Sequence, residues 1–356
     1  MSQDIYRNLQ ERLDYYSLGF PPTESGIELQ ILKHLFDERD AAMFLELTPM
    51  LETPEAVAER TEKPVEEVSR HLEDMAERKL LFRLQKGDTP KYGAVPFVHG
   101  LFEFRTKELD KELASLVEQY YEEGFKQAMA NGADTFLRVV PIQQSIDATQ
   151  QVASYEDARD ILKNAKRIVV TDCICRNQKE SLGKACDKPK EVCFMFGSMA
   201  KYYLDYNMGR EIDAEEAVDI LAKAHEAGLV TQPATSQNPS GMCNCCGDCC
   251  GVLASLNELN KPAEMVFSNH YAQIDQDLCT GCEICLDRCQ MGALYLNEHG
   301  LSEVNTDRCI GCGLCVTTCP TEAVRLIPKP EDKQRVPPAN SAEQMMTMAQ
   351  KRGIQI

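Results

Sequence analysis

Eight cysteines stand in two runs of identical spacing. The first reads Cys279-x-x-Cys282-x-x-Cys285-x-x-x-Cys289, and the second reads Cys309-x-x-Cys312-x-x-Cys315-x-x-x-Cys319-Pro320. They form an internal repeat offset by thirty positions: Cys279 corresponds to Cys309, Gly281 to Gly311, Asp277 to Asp307 and Ala293 to Ala323. Thiolates in this number hold either iron–sulfur clusters or zinc. A tight loop brings three of them to one centre, and Gly281 or Gly311 lets the backbone approach closely. Two complete four-cysteine runs of the same spacing, the second closed by Cys319-Pro320, favour iron–sulfur over zinc or a disulfide framework.

Both runs closely resemble the bacterial dicluster ferredoxin domain, over roughly residues 271–328. The resemblance implies two 4Fe–4S clusters, with each repeat lending its fourth ligand to the cluster of the other. One cluster would take Cys279, Cys282, Cys285 and Cys319. The other would take Cys309, Cys312, Cys315 and Cys289. One departure is Gln290, which stands where the first repeat of the family has proline. A small effect is expected there, because proline donates no ligand.

Nine further cysteines precede this stretch. An apolar run, Arg167 to Thr171, reads as a buried strand that leads straight into Cys173, Cys175 and Arg176, followed by Cys186 and Cys193. Helices expected over Phe196 to Tyr206 and Ala214 to Ala227 lead to a loop, Thr231 to Ser240, and then to Cys243, Cys245, Cys246, Cys249 and Cys250. Cysteines that dense are metal ligands rather than core packing. The simplest division gives one cluster to Cys173, Cys175, Cys186 and Cys193, and a second to four of the last five. Folding the two loops together would mix the sets, and one structural zinc with free thiols is the alternative. The doubled Cys-Cys-Gly resembles the cysteine-rich domains of heterodisulfide reductases, which hold non-cubane clusters. The chain departs from that pattern upstream, where the further cysteine of those domains is missing. Arg176, Arg288 and Arg308 adjoin cluster cysteines and are placed to tune potential, with solvation as their ordinary fate. His270 and His299 lie near the ferredoxin loops as packing or surface residues.

The remaining elements must position these thiols. A chain of 356 residues with 43% hydrophobic content suggests two or three domains. Helices are expected over residues 1–18 and over Glu24 to Asp40, followed by an apolar segment, Ala41 to Leu51. Thr53 and Pro54 cap a helix, Pro64 opens a second, and Leu81–Leu84 and Tyr92–Val95 flank a turn at Lys86-Gly87-Asp88. Helix, turn, helix and hairpin resemble a winged helix-turn-helix domain. Its second helix carries Glu66, Glu67, Glu73, Asp74 and Glu77, and the net charge of the chain is −18. Both disfavour DNA, which is bound through clustered Lys and Arg. One long helix is expected from Leu101 to Ala130, then a mixed segment over 133–150 with a short strand at Val139 to Ile142. A Pro-rich stretch and a Met-rich helix, Ala342 to Lys351, end the sequence and would dock on a partner or fray.

These readings give an α+β multidomain chain. A winged-helix-like domain spans 1–100, a helical connector 101–150, a cysteine-rich domain 151–262, a dicluster ferredoxin domain 263–328, and a tail 329–356. About four 4Fe–4S clusters are expected. No dinucleotide-binding fingerprint, phosphate loop or flavin motif is present. The leading reading is therefore a cytoplasmic electron-transfer protein, a subunit or partner of a larger oxidoreductase, suited to an anaerobic setting, rather than a stand-alone enzyme. Its partners would be redox proteins, with no nucleic acid and no membrane span, and oligomers would form through the N-terminal domain. Two alternatives are a redox-sensing winged-helix regulator and an enzyme whose Cys243–Cys250 cluster binds a thiol or disulfide.

Overall fold

Short amphipathic helices open the chain: α1 (Ile5–Asp14), α2 (Ile27–Leu35) and α3 (Glu38–Glu46). The structure is a computed structural model that describes residues 4–132, 136–142, 145 and 153–354. The single helix expected over Glu24 to Asp40 is two helices. Phe36 is extended and buried, and the Asp37 carboxylate caps α3 by accepting from the Asp40 amide at 2.7 Å. Thr53 and Pro54 start α4 (Pro54–Thr61), Glu62 ends it in the left-handed region, and α5 (Val65–Glu77) follows Pro64. Strands β1 (Phe82–Lys86) and β2 (Thr89–Gly93) form an antiparallel hairpin.

The long helix expected from Leu101 to Ala130 does not form over its first third. Phe97, Leu101, Phe102 and Phe104 are buried in a tight irregular segment with His99 at φ 60°. Apolar spacing there serves packing on several sides, not one helical face. The Asp110 carboxylate caps α6 (Lys111–Tyr120), a wide turn at Tyr121–Phe125 interrupts it, and α7 (Lys126–Gly132) follows. Residues Val139 to Ile142 are not a regular strand. The Arg138, Val139 and Val140 amides instead donate to Pro233, Phe267 and Thr231, stitching two units together. Residues 133–135, 143–144 and 146–150 of the expected mixed segment lie outside the described residues.

The middle of the chain is an antiparallel five-stranded sheet in the order β5-β3-β4-β7-β6. After α8 (Ala158–Asn164), β3 (Ile168–Asp172) is buried as its apolar run dictates, then α9 (Ile174–Ser181) and β4 (Glu191–Phe196) follow. Helices α10 (Gly197–Asp205) and α11 (Ala214–Glu226) flank β5 (Arg210–Ile212). The stretch expected as a loop from Thr231 begins inside a strand, β6 (Val230–Pro233), which pairs with β7 (Gly241–Cys245). Helices α12 (Gly251–Asn257) and α13 (Pro262–Met265) lead to the C-terminal unit.

That unit contains β8 (His270–Ile274), α14 (Ile284–Arg288), β9 (Leu294–Leu296), β10 (Ser302–Val304) and β11 (Val324–Pro328). β8 pairs with β11 and β9 with β10. The first strand of one repeat and the last of the other thus close each ribbon. The tail helix α15 (Ser341–Lys351) does not fray: Met348 and Ala349 are buried, and Arg352 forms an ion pair with Asp14 at 3.2 Å. Together these elements make a mixed helix-and-strand protein. Among the described residues no helix is long and apolar enough to cross a membrane.

Candidate metal centres

In the C-terminal unit the thirty-residue repeat becomes an exchange of hydrogen bonds. The Ala272 amide on β8 donates to Cys309 Sγ at 3.3 Å, and its counterpart Ser302 on β10 donates to Cys279 Sγ at 3.4 Å. The Ala293 amide donates to Cys289 Sγ at 3.2 Å. Cys289 of the first repeat lines one small cavity with Cys309, Cys312 and Cys315 of the second, the grouping that a shared fourth ligand requires. Burial pushes the Cys312 thiol up to about 12, with the Cys289 charge adding to it. Backbone fits tightly around both loops. A Cβ on Gly281 would lie 2.2 Å from the Gly300 carbonyl oxygen, and one on Gly311 2.2 Å from that of His270. Both glycines have φ near +70°. Amides aimed at sulfur and glycine-only loops are what a cluster-binding loop needs, so these residues fit a pair of clusters.

The nine upstream cysteines do not divide as two sequential fours. Cys173 caps α9 and Cys175 lies in its first turn, while Cys193 lies in β4 rather than in a loop. Cys243 and Cys245 lie in β7, so strand alternation turns them to one side. These five sulfurs and Cys250 form a closed ring of side-chain contacts. Its order is Cys173, Cys175, Cys250, Cys245, Cys243, Cys193 and back to Cys173. All six line one cavity of about 90 Å³. Contacts with ring neighbours hold Cys173 and Cys250 well below the usual thiol range, and push Cys175 well above it. Cys186 leaves the set expected for it. With Cys246 and Cys249 it makes a separate trio, its sulfur 3.9 Å from that of Cys246. The arrangement is the mixed one, across both loops.

Arg176 lies between ring and trio. Its side chain is 1% exposed, with the thiols of Cys173, Cys193, Cys245 and Cys246 as its acidic neighbours. One guanidinium nitrogen, Nη2, donates to the Asn244 carbonyl at 3.1 Å, while Nε and Nη1 have no hydrogen-bond partner. A buried cation so placed can offset the negative charge of thiolate-bound metal. Contact with Cys249, assisted by Arg176, brings the Cys246 thiol down to about 6. Neither Arg288 nor Arg308 is merely solvated. Arg288 donates to the Glu226 carbonyl at 2.6 Å and to that of His225, and Arg308 to the Met291 carbonyl at 2.8 Å and the Leu259 carbonyl at 2.9 Å. Both brace the ferredoxin-like unit on its neighbours.

Two features escaped the sequence reading, and a third was given too small an effect. His99 and Glu103, from the irregular segment, line the same cavity as the six thiols, with Tyr121 and Tyr203. Burial lowers His99 to about 4 and raises Glu103 to about 8. The third is Gln290. Its side-chain oxygen accepts from the Gly247 amide at 2.8 Å, and its carbonyl accepts from Asn257 Nδ2 at 2.8 Å. A residue next to Cys289 therefore touches the backbone next to Cys246. His270 is buried, and His299 is exposed in the turn after β9, where its amide donates to Asn297; neither joins the thiol groups.

The fold and these thiols define an iron–sulfur protein. Residues 265–326 match the family described as 4Fe-4S dicluster domain, so the C-terminal unit carries 4Fe–4S clusters. No curated protein and no solved structure matches the chain.

Proposed function

We propose that this chain relays single electrons between protein partners of a cytoplasmic oxidoreductase through three iron–sulfur sites. Two are the ferredoxin-like clusters, on Cys279, Cys282, Cys285 and Cys319, and on Cys309, Cys312, Cys315 and Cys289. The third is the ring of Cys173, Cys175, Cys193, Cys243, Cys245 and Cys250. The observation that carries the reading is the Gln290–Gly247 hydrogen bond. It gives a short path from the Cys289 backbone to the segment that carries Cys245 and Cys250. Iron–sulfur clusters supply one-electron transfer. The protein residues hold them at fixed separation and place Arg176 beside the ring. Residues 1–100 act as a winged-helix-like docking module and 101–150 as a connector. Residues 151–262 are the ring-bearing domain, 263–328 the dicluster domain and 329–356 a clamp.

The test is iron analysis and electron paramagnetic resonance on anaerobically purified protein. Two cubanes account for about eight irons per chain, and a third centre raises the count. The paired change Cys175→Ser with Cys245→Ser removes the excess iron, leaves the ferredoxin signals and stops reduction from passing through the chain. Unchanged transfer to an acceptor protein sinks the relay.

One observation favours a second reading, a small-molecule redox enzyme: the thiol ring shares its cavity with Glu103, His99, Tyr121 and Tyr203. A thiol or disulfide ligand would then perturb the ring signals and not the ferredoxin signals. A regulator is the third reading, and α5 speaks against it. Its outward residues include Glu66, Glu67, Asp74 and Glu77, and Arg78 is committed to Asp40 and Asp74. Sequence-specific gel retardation at physiological salt would revive it.

A further inference from the structure

The trio Cys186, Cys246 and Cys249 differs from the ring in its geometry. Its three sulfurs all lie within 4.8 Å of one another, and no second group of three such donors comes together this way among the described residues. No three of the ring sulfurs come that close to one another, and the ring surrounds a cavity. The distance between thiolates reports what they bind. Thiolates on one tetrahedral zinc, with bonds of about 2.3 Å, stand about 3.8 Å apart. Those of a cubane stand farther apart, because each binds a different iron. The Cys186–Cys246 separation is 3.9 Å.

We infer that Cys186, Cys246 and Cys249 bind a single soft divalent metal ion, of the zinc class, with the fourth position left to solvent. Thiolates select zinc over harder cations. Three thiolates and a divalent ion carry one net negative charge, which Arg176, buried beside Cys246 with two unpartnered nitrogens, offsets. Cys186 is partly exposed, which gives the ion an entry path. Lys188 and Asp248 pair at 3.2 Å and join the same two segments at the surface. The ion pins the loop after α9 to the turn after β7, the turn whose Gly247 amide meets Gln290. It thereby fixes the surface on which the ferredoxin-like unit rests. The inference goes beyond the relay and does not need the ring to hold iron.

The test uses the full chain, purified anaerobically, with zinc and iron measured together. One zinc per chain is expected, its X-ray absorption showing three sulfurs at about 2.3 Å and one lighter ligand. Cobalt(II) in place of zinc should give thiolate charge-transfer and tetrahedral d–d bands. Cys186→Ala should lose the zinc and cobalt signatures and leave the iron count unchanged. Absence of zinc and cobalt binding, a shell of four sulfurs, or loss of about four irons in Cys186→Ala would each overturn the inference. Should that variant not fold, the wild-type absorption spectrum decides alone. Failure of the relay reading appears as missing iron and leaves the zinc signal in place.

Discussion

Arg176 is a cation that water does not reach, and its cost is met only if negative charge stands beside it. Reduction adds negative charge to an iron–sulfur centre, so a neighbouring cation favours the reduced form. Replacing Arg176 with Met should lower the midpoint potential of the ring centre by tens of millivolts and leave the ferredoxin potentials in place, as read by redox titration. Gln290 acts on a different property. Gln290→Ala removes the 2.8 Å bond to Gly247, worth about 1 kcal/mol of stability. It should slow electron exchange between the ferredoxin pair and the ring in stopped-flow reduction, with iron content unchanged. A rate equal to wild type would mean that the path runs elsewhere.

At the level of elements, α3 and α5 are joined by a buried charge network. Asp40, 1% exposed, accepts from His71 at 2.9 Å and from Arg78 at 2.6 Å. Burial alone would raise its carboxyl, but the His71 and Arg78 hydrogen bonds win and hold it well below the usual range. Asp40→Asn removes the charged acceptor of both His71 and Arg78, leaves Arg78 paired with Asp74, and should cost about 2 kcal/mol, read as a lower denaturant midpoint of the intact protein. Much of this architecture is legible in the sequence. Thr53-Pro54 marks α4, the Ile168–Val170 run marks β3, and the cysteine repeat marks the dicluster unit. What was not legible came from contacts at long range. Phe102 and Phe104 fall in the stretch read as helix but pack in different directions, against Tyr121 and Tyr202. Cys245 is the last residue of β7 and Cys246 the first beyond it, so the end of the strand separates the two thiols. Crowded cysteines hid that strand as a loop.

Across the whole molecule, neutral histidines tie acid tolerance to the junction between units. His225 is buried, its Nε2 is 2.8 Å from Thr317 Oγ1, and burial, with the nearby Arg288 charge, lowers it to about 4. Its folded pKa lies below the unfolded value of about 6.5. The unfolded chain therefore takes up the proton first, and this stability is complete above pH 6.5 and lost as pH falls towards 4. His225→Gln, which keeps a partner for Thr317, should reduce the loss over that window by about 3 kcal/mol, measured as the difference between the two pH profiles. A second long-range tie has a consequence in time. Arg352 donates to the Asp14 carbonyl from 338 residues away. A ribosome finishes all seventeen cysteines before it makes Arg352. The N-terminal helices can thus form early, as vectorial synthesis favours, yet their last partner arrives only when every thiol is already outside or nearly so. Closure of the clamp is in this sense a record that the metal-binding part of the message has been read to its end.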